Sequence, residues 1–204
     1  MEKFFRIYLE NRFPLLVFVC LILILGIGFG AYAIRSVNYS VQQELFNYFN
    51  NFLDDFQEMD YEKIDLLSES IKFNLLNIFI MWLLGLSVII IPLVPILIFI
   101  KGFVLGFTTG FLISQFSLKG ILIAIITVFP QNIIVIPCFI LGGLTATGFS
   151  IKIINYFRNK IRLNFIDFFN YTSKMILLAV IVLSGSLIET YISPVLFKFM
   201  LRFF

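Results

Sequence analysis

The amino-acid sequence predicts an all-α polytopic membrane protein: a bundle of five transmembrane spans with one amphipathic helix outside the membrane. Of its 204 residues, 60% are hydrophobic and 13% are charged, and the mean hydropathy is +1.02. These values are typical of membrane proteins rather than of soluble domains. Five nearly uncharged stretches approach or exceed the roughly 20 residues that cross a hydrocarbon core. They cover about residues 14–34, 73–95, 102–118, 121–145 and 175–196 of what we predict to be a single membrane domain.

Several classes of chemistry are excluded by residues that the chain lacks. There is no histidine, which removes histidine-dependent catalysis, His–Glu metal sites and haem ligation. The two cysteines, Cys20 and Cys138, lie in apolar runs and are too few for a disulfide framework or a metal cluster. The spans contain one acidic residue, and the chain has no G-x-S-x-G motif. We therefore expect no enzyme activity, no metal and no cofactor.

The distribution of basic residues predicts the orientation of the chain. Lys and Arg cluster before the first span and again between the fourth and fifth spans, whereas Lys101 and Lys119 are single residues expected in tight turns. The positive-inside rule places both clusters in the cytoplasm, so the N-terminus is cytoplasmic and the C-terminus, after five crossings, is extracytoplasmic. The second cluster, residues 152–174, is expected to contact lipid headgroups and not nucleic acid.

The first span, residues 14–34, is predicted to remain in the mature protein. Its uncharged run exceeds the roughly 7–15 residues of a signal-peptide core, which favours an uncleaved anchor. Gly26 and Gly30 lie four residues apart on one face of this helix, a spacing that lets another helix approach closely.

Residues 36–71 form the one sizeable segment outside the membrane, and the predicted topology makes it extracytoplasmic. It contains eight acidic residues and one basic residue. Ser40 and Gln43 have the spacing of a capping box, which predicts an amphipathic helix over about residues 40–59. Because anionic lipid headgroups repel an acidic helix, its apolar face packs either on the protein's own spans or against a partner protein. That face consists of Leu45, Phe49, Phe52, Phe56 and Met59.

The third span, residues 102–118, carries a small residue at every fourth position. Such a stripe allows close helix approach, and two uses for it stay open: packing within the chain, or the seam of a homodimer. Just upstream, Pro92 and Pro95 predict a bend at the inner end of the second span. The stripe consists of Gly102, Gly106, Gly110 and Ser114.

The fourth span is predicted to be interrupted. Pro130 and Pro137 each remove a backbone donor, so the helix is expected to kink or break near Phe129. Gln131 and Asn132 follow the first proline and are suited to satisfy the freed carbonyl groups. The same amides within the membrane are also typical of a solute site. A satisfied kink and a binding site both stay open.

Glu189 is the one acidic residue inside a span. A carboxylate in hydrocarbon is costly unless it is paired, hydrated or neutralised, so it indicates a function by default. We expect either a structural ion pair with Lys119 or Arg35, which can reach it by snorkelling, or a proton or cation relay. Pro194 follows shortly after and is expected to end the helix near the interface.

Three motifs carry a resemblance to a known family. They are residues 101–110 (KGFVLGFTTG), 129–137 (FPQNIIVIP) and 189–194 (ETYISP). In this order, and with five spans around them, they closely resemble the stage II sporulation protein M family over nearly the whole chain. The resemblance implies an integral membrane protein of the engulfment machinery of endospore-forming bacteria, located in the cell membrane at the sporulation septum.

The resemblance also implies partners and a role. Members of the family are thought to assemble with stage II sporulation proteins D and P, which supply the hydrolytic chemistry on septal peptidoglycan. This chain is then expected to be a scaffold that recruits or positions those hydrolases, with the helix over residues 40–59 as the first candidate contact. The alternative is a small-solute or ion channel with a site near Gln131, Asn132 and Glu189. The family-pattern positions, none of them catalytic, are Gly102, Gly106, Gly110, Pro130, Gln131, Asn132, Glu189 and Pro194.

Overall fold

A computed structural model of the chain describes residues 13–58, 63–87, 93–159 and 164–193. Over these residues the protein is all-α, which confirms the predicted fold class. Five helices are long and apolar enough to cross a membrane, and one more is amphipathic. The helices are α1 (Phe13–Ser36), α2 (Tyr39–Glu58), α3 (Lys63–Leu86), α4 (Leu93–Thr127), α5 (Phe129–Asn159) and α6 (Phe165–Leu187), and a π-helical turn (Ile188–Ile192), called the π-turn below, continues α6.

Some residues named from the sequence lie outside this description. They are Met59, Pro92 and Pro194, together with the side chains of Phe52 and Phe56.

Helices α1 and α4 form the most extensive helix pair of the bundle. Glycines on the two helices face each other: a Cβ atom added to Gly102 would lie 3.3 Å from the Cα atom of Gly26. A Cβ atom at Gly106 would collide with the carbonyl oxygen of Ile27. Because only glycine leaves room for such close backbone approach, this part of α4 is occupied by α1 of the same chain.

The last position of the small-residue stripe, Ser114, differs from the three glycines before it. A Cβ atom at Gly110 would lie 3.1 Å from the Cα atom of Ala31, so the contact with α1 continues. Ser114 is exposed, and its hydroxyl donates to the carbonyl of Phe111 in its own helix at 2.8 Å. Because α1 covers the face of α4 that carries the three glycines, a homodimer would have to use another face of α4.

The second crossing ends, and the third begins, earlier along the chain than predicted. Helix α3 ends at Leu86 and α4 begins at Leu93, whereas the sequence placed the span boundary near residue 95. Pro95 lies in the first turn of α4, where backbone N–H groups have no intrahelical acceptor and proline is tolerated. The expectation that Lys101 occupies a turn is therefore wrong, since it lies within α4, about two turns after its start.

Helix α4 reverses its direction at Ser117. This residue has φ 51° and ψ −128°, and among the described residues it is the one non-glycine residue with positive φ. After the reversal the chain folds back on itself, because a Cβ atom at Gly120 would collide with the carbonyl oxygen of Leu112. This reversal agrees with the tight turn predicted at Lys119, between the third and fourth spans, and lies two residues before that lysine.

The predicted fourth span, residues 121–145, is interrupted. The limb that returns from Ser117 ends at Thr127, a turn follows at Val128, and α5 begins at Phe129. The break lies one residue from Phe129, near which the prolines predict a kink. Pro130 follows in the first turn of α5, where it costs no helix hydrogen bond.

The amphipathic helix α2 packs its apolar face on the bundle. The rings of Phe49 and Phe111 lie 6.1 Å apart, as do the rings of Phe46 and Phe116. Leu45 packs against the same cluster. The described residues of this face therefore pack on the protein's own spans and not against a partner protein. The buried members of the cluster are Ile34, Phe111, Leu112, Ile123 and Ala124.

Helix α2 begins at Tyr39, one residue before the predicted Ser40. The side-chain amide of Gln42 donates to the carbonyls of Ile34 and Val37 at 3.0 Å and 3.1 Å. These carbonyls stand at the end of α1, where they have no partner within the helix. Gln42 thereby joins α2 to the last turn of α1.

Candidate functional site: a polar cavity between the helices

Glu189 lies in the π-turn, and its carboxylate joins three elements. Ser70 of α3 donates to Glu189 Oε2 at 2.5 Å. Gln131 of α5, with its amide nitrogen turned toward the carboxylate, donates to both oxygens at 3.0 Å. The sequence predicted the cations Lys119 or Arg35 as partners, whereas these two donors are a neutral hydroxyl and a neutral amide.

The hydrogen-bond network continues from Ser70 into the interior of the bundle. Asn74, four residues further along α3, donates from Nδ2 to Ser186 Oγ of α6 at 3.0 Å and to Ser70 Oγ at 3.4 Å. Asn74 is 3% exposed and Ser186 is fully buried. Because unsatisfied polar groups are costly at such depth, this network fixes α3 against α6.

Sequence reasoning missed Ser70, Asn74 and Ser186. A signal was present, because Ser70 and Asn74 are four residues apart and Ser186 precedes Glu189 by three. Both spacings place polar side chains on one helix face. Polar pairs at helical spacing within apolar spans indicate a buried network or a site.

Gly185 lets α5 and α6 approach closely beside this network. A Cβ atom at Gly185 would lie 2.8 Å from a methyl group of Val135 and 3.7 Å from the carbonyl oxygen of Gln131. The close approach brings the Gln131 side chain within hydrogen-bond distance of Glu189. The glycine thus positions the amide and the carboxylate that meet in the site.

The π-turn directs further polar side chains into the interior. Thr190 is 3% exposed and Ser193, directly after the turn, is 8% exposed. Within the described part of the chain, neither hydroxyl has a hydrogen-bond partner. Single π-helical turns inside α-helices are frequent at functional sites because the extra residue redirects side chains.

These groups surround a cavity of about 930 Å³ between α3, α4, α5 and the π-turn. Phe49 of α2 contributes to its wall, and most of the remaining wall is apolar. An apolar cavity with a few convergent polar groups is the usual form of a small-molecule site. The polar and charged residues that line it are Glu69, Ser70, Lys72, Asn74, Lys101, Thr108, Thr127, Gln131, Asn132, Glu189, Thr190 and Ser193.

Lys101 supplies a positive charge to the same cavity. Its ammonium group lies 5.7 Å from the ring centroid of Phe73 and 5.3 Å from that of Phe139, distances at which an aromatic face attracts a cation. The Glu189 carboxylate also interacts electrostatically with it. Among the residues that the structure describes, neither a hydrogen bond nor an ion pair engages this ammonium group. The cavity thus contains opposite charges that do not contact each other.

The two amides after Pro130 have different roles. Asn132 is buried, and its Nδ2 donates to the carbonyl of Val128 at 2.6 Å. It therefore satisfies a carbonyl freed at the break between α4 and α5. Gln131 instead faces Glu189, so a satisfied break and a polar site coexist here.

The arrangement is suited to binding more than to bond-breaking chemistry. Within residues 13–58, 63–87, 93–159 and 164–193, no group of three His, Cys, Asp or Glu side chains is placed to hold a metal ion. The Glu189 carboxylate accepts hydrogen bonds from Ser70 and Gln131. The cavity is lined by two carboxylates, Glu69 and Glu189, by the ammonium groups of Lys72 and Lys101, and by several hydroxyl and amide groups.

Fold and site together define a multi-pass helical membrane protein with a polar cavity inside its bundle. Residues 19–194 match the family model described as stage II sporulation protein M. The chain belongs to this family, which confirms the resemblance seen in the three motifs. The matched range includes every cavity residue. The family is not a known enzyme family, and membership indicates a membrane protein related to sporulation.

Neither the curated proteins nor the solved structures contain a match to the chain.

Proposed function

We propose that this protein is a membrane scaffold of the sporulation engulfment complex, not itself an enzyme, that recruits or positions peptidoglycan hydrolases at the septum. The proposed partners are stage II sporulation proteins D and P. Family membership supports the process. The observation that carries the scaffold role is the attachment of α2, which is held to the bundle by one face and exposes the other.

The exposed face of α2 is suited to bind a protein. Tyr39 is 79% exposed and Tyr48 is 76% exposed, and Glu44 and Asn47 are exposed beside them. Tyrosine is enriched in protein interfaces because its rigid ring combines apolar area with a hydrogen-bonding hydroxyl. We call these four residues the outer face of α2.

The outer face differs from the partner contact that the sequence predicted. Leu45 and Phe49 were candidates for contact with a partner, but they pack against the protein's own cluster around Phe111. Binding a hydrolase through them would first require α2 to leave the bundle. For Phe52, Phe56 and Met59, contact with a partner stays a prediction.

The charge of the external segment favours a basic partner surface. Residues 36–71 carry eight acidic side chains and one basic one. Complementary charge mainly accelerates association and selects the partner. In the orientation that we propose, with the N-terminus cytoplasmic, this segment lies on the side of the membrane where peptidoglycan is found.

Site-specific photo-cross-linking in sporulating cells tests the proposal. A cross-linking amino acid replaces Tyr39 or Tyr48, and the matched control replaces Tyr156, which is also exposed but lies near the opposite end of the bundle, at the end of α5. We expect adducts with one of the hydrolases from Tyr39 and Tyr48 and none from Tyr156. Absence of hydrolase adducts from both outer-face positions, or equal adducts from the control, contradicts the scaffold role.

A second candidate function is the passage of a small solute or ion, and the cavity favours it. Glu189, Gln131 and Asn132, which the sequence proposed for such a site, all line this cavity. Flux into proteoliposomes separates the two functions. If the protein transports, Glu189→Gln abolishes the flux, whereas a scaffold shows no flux and responds to Glu189→Gln only in assembly or stability.

A further inference from the structure

We propose that the cavity binds a zwitterionic molecule, with an anionic oxygen group of the ligand on the Lys101 ammonium and a ligand ammonium group on the Glu189 carboxylate. This binding does not depend on the scaffold role. Two sources share this chemistry: the headgroup of an aminophospholipid and a soluble amino-acid zwitterion.

The charges of the cavity indicate a dipolar ligand. Lys101 and Glu189 line the same cavity without forming an ion pair with each other. The other charged lining residues, Glu69 and Lys72, also have opposite signs. A site with no net charge within the membrane is best matched by a ligand with no net charge, because a single ion would leave one charge uncompensated at low dielectric.

Unused hydrogen-bonding groups independently indicate a ligand. The hydroxyls of Thr190 and Ser193 are buried, line the cavity and have no partner among the described residues. Nearly all buried polar atoms in proteins have a partner, and exceptions require an explanation. The Lys101 ammonium group lies over the rings of Phe73 and Phe139, and no described residue accepts a hydrogen bond from it. A ligand with anionic oxygens and N–H donors satisfies groups of both kinds.

The size and the opening of the cavity suit an amphiphile. About 930 Å³ is far more than a bare ion needs and lies within the range of small-molecule sites, roughly 300–1,000 Å³. Phe73 and Leu76 of α3 and Val104 of α4 line the cavity, and each is also at least half exposed on the outer surface of the bundle. The cavity therefore opens between α3 and α4, where a headgroup can enter while its acyl chains remain in lipid.

Retention of lipids by the purified protein tests the proposal. The full chain is extracted from vesicles containing equal parts of phosphatidylethanolamine, phosphatidylcholine and phosphatidylglycerol, washed, and weighed with its bound lipids by native mass spectrometry. Phosphatidylcholine has no N–H donor for Glu189, and phosphatidylglycerol has no cation. We expect phosphatidylethanolamine to be retained about tenfold over both. Displacement by soluble phosphoethanolamine or alanine, without such selectivity, identifies a soluble zwitterion as the ligand instead.

Variants test whether the charges of Lys101 and Glu189 cause the selective binding while the protein stays folded. Lys101→Met and Glu189→Gln each remove one charge and should abolish selective retention or displacement. The matched control Lys152→Met removes a lysine whose ion pair with Asp167, at 3.0 Å, lies outside the cavity, and it should retain lipid like the natural chain. The double variant Lys101→Met with Glu189→Gln leaves no net charge, so it tests binding even if a single variant does not fold.

Two results of the lipid measurement on the natural chain overturn the proposal. One is equal retention of the three lipids together with no displacement by soluble zwitterions. The other is retention of phosphatidylglycerol over phosphatidylethanolamine, which indicates a site for a simple anion. Unchanged selectivity in the folded double variant also contradicts the assignment of Lys101 and Glu189. None of these results bears on the cross-linking of α2.

Discussion

The packing of α1 on α4 predicts opposite effects for two neighbouring glycines of α1. A Cβ atom at Gly30 would collide with the carbonyl oxygen of Phe103 and lie 2.7 Å from the backbone nitrogen of Phe107. At Gly28 the same atom would have nothing within 4 Å. Both substitutions therefore add a methyl group to α1. Gly30→Ala places it in the contact with α4, and Gly28→Ala places it outside that contact.

The expected change in the free energy of unfolding follows from the geometry at Gly30. The distance to Phe107 is 0.7 Å short of the 3.4 Å at which ordinary contact begins, and the obstacle is backbone, so the helices must separate. A gap of this size forfeits about a quarter to a half of the dispersion energy across the seam, and overpacking costs about 1–3 kcal/mol. Alanine regains about 1 kcal/mol of helix propensity. Because the nearest obstacles are the backbone atoms of Phe103 and Phe107, which cannot give way as a flexible side chain could, we take the upper end of the overpacking range, about 3 kcal/mol, less the gain in propensity. We therefore expect Gly30→Ala to lower the free energy of unfolding by about 2 kcal/mol and Gly28→Ala to raise it by about 0.5–1 kcal/mol.

Unfolding of the purified protein in mixed micelles by a denaturing detergent measures both effects. The single tryptophan, Trp82 of α3, reports the transition by its fluorescence, since its indole nitrogen donates to Thr172 of α6 at 3.2 Å. A shift of the free energy of unfolding in the same direction for both variants, or no change for Gly30→Ala, would contradict the close packing of α1 on α4.

Three further expectations use the same unfolding measurement. Gln131→Leu removes a donor from the half-buried Glu189 carboxylate and should cost about 1–3 kcal/mol; no loss would mean that this hydrogen bond does not contribute. Ser117→Gly should add about 1 kcal/mol, because glycine adopts φ 51° without steric cost, whereas a loss of stability would contradict the hairpin at Ser117. Lys152→Met breaks an exposed ion pair with Asp167 and should cost less than about 1 kcal/mol; a larger loss would show that this pair contributes more than its exposure suggests.

The sequence predicts the spans well because the membrane constrains them directly. Length and apolarity suffice to identify five crossings, and Glu189 stands out as the one acidic residue in a span. The small-residue stripe beginning at Gly102 shows that a close helix contact exists. It does not identify the other helix, because α1 of the same chain and a second copy offer similar apolar surfaces.

The parts that sequence reasoning missed depend on contacts between distant segments. Lys101 was assigned to a turn because it separates two uncharged runs and follows the bend predicted at Pro92 and Pro95. Its position within α4 is tolerated because Phe73, Phe139 and Glu189, from three other elements, surround it. A turn was predicted at Lys119, but its position at Ser117 and the close packing of Gly120 against Leu112 were not, because the reversal itself has no glycine or proline. Neither arrangement follows from local propensity.

The central claim is that the outer face of α2 lies outside the cytoplasm, where a hydrolase can reach it. Labelling of Tyr48→Cys in intact cells with a membrane-impermeant maleimide tests it most directly, in a background where Cys20 and Cys138 are replaced by alanine. We expect Tyr48→Cys to be labelled in intact cells and the control Tyr156→Cys only after permeabilisation. Labelling of Tyr48→Cys only after permeabilisation would contradict the orientation and, with it, the scaffold role.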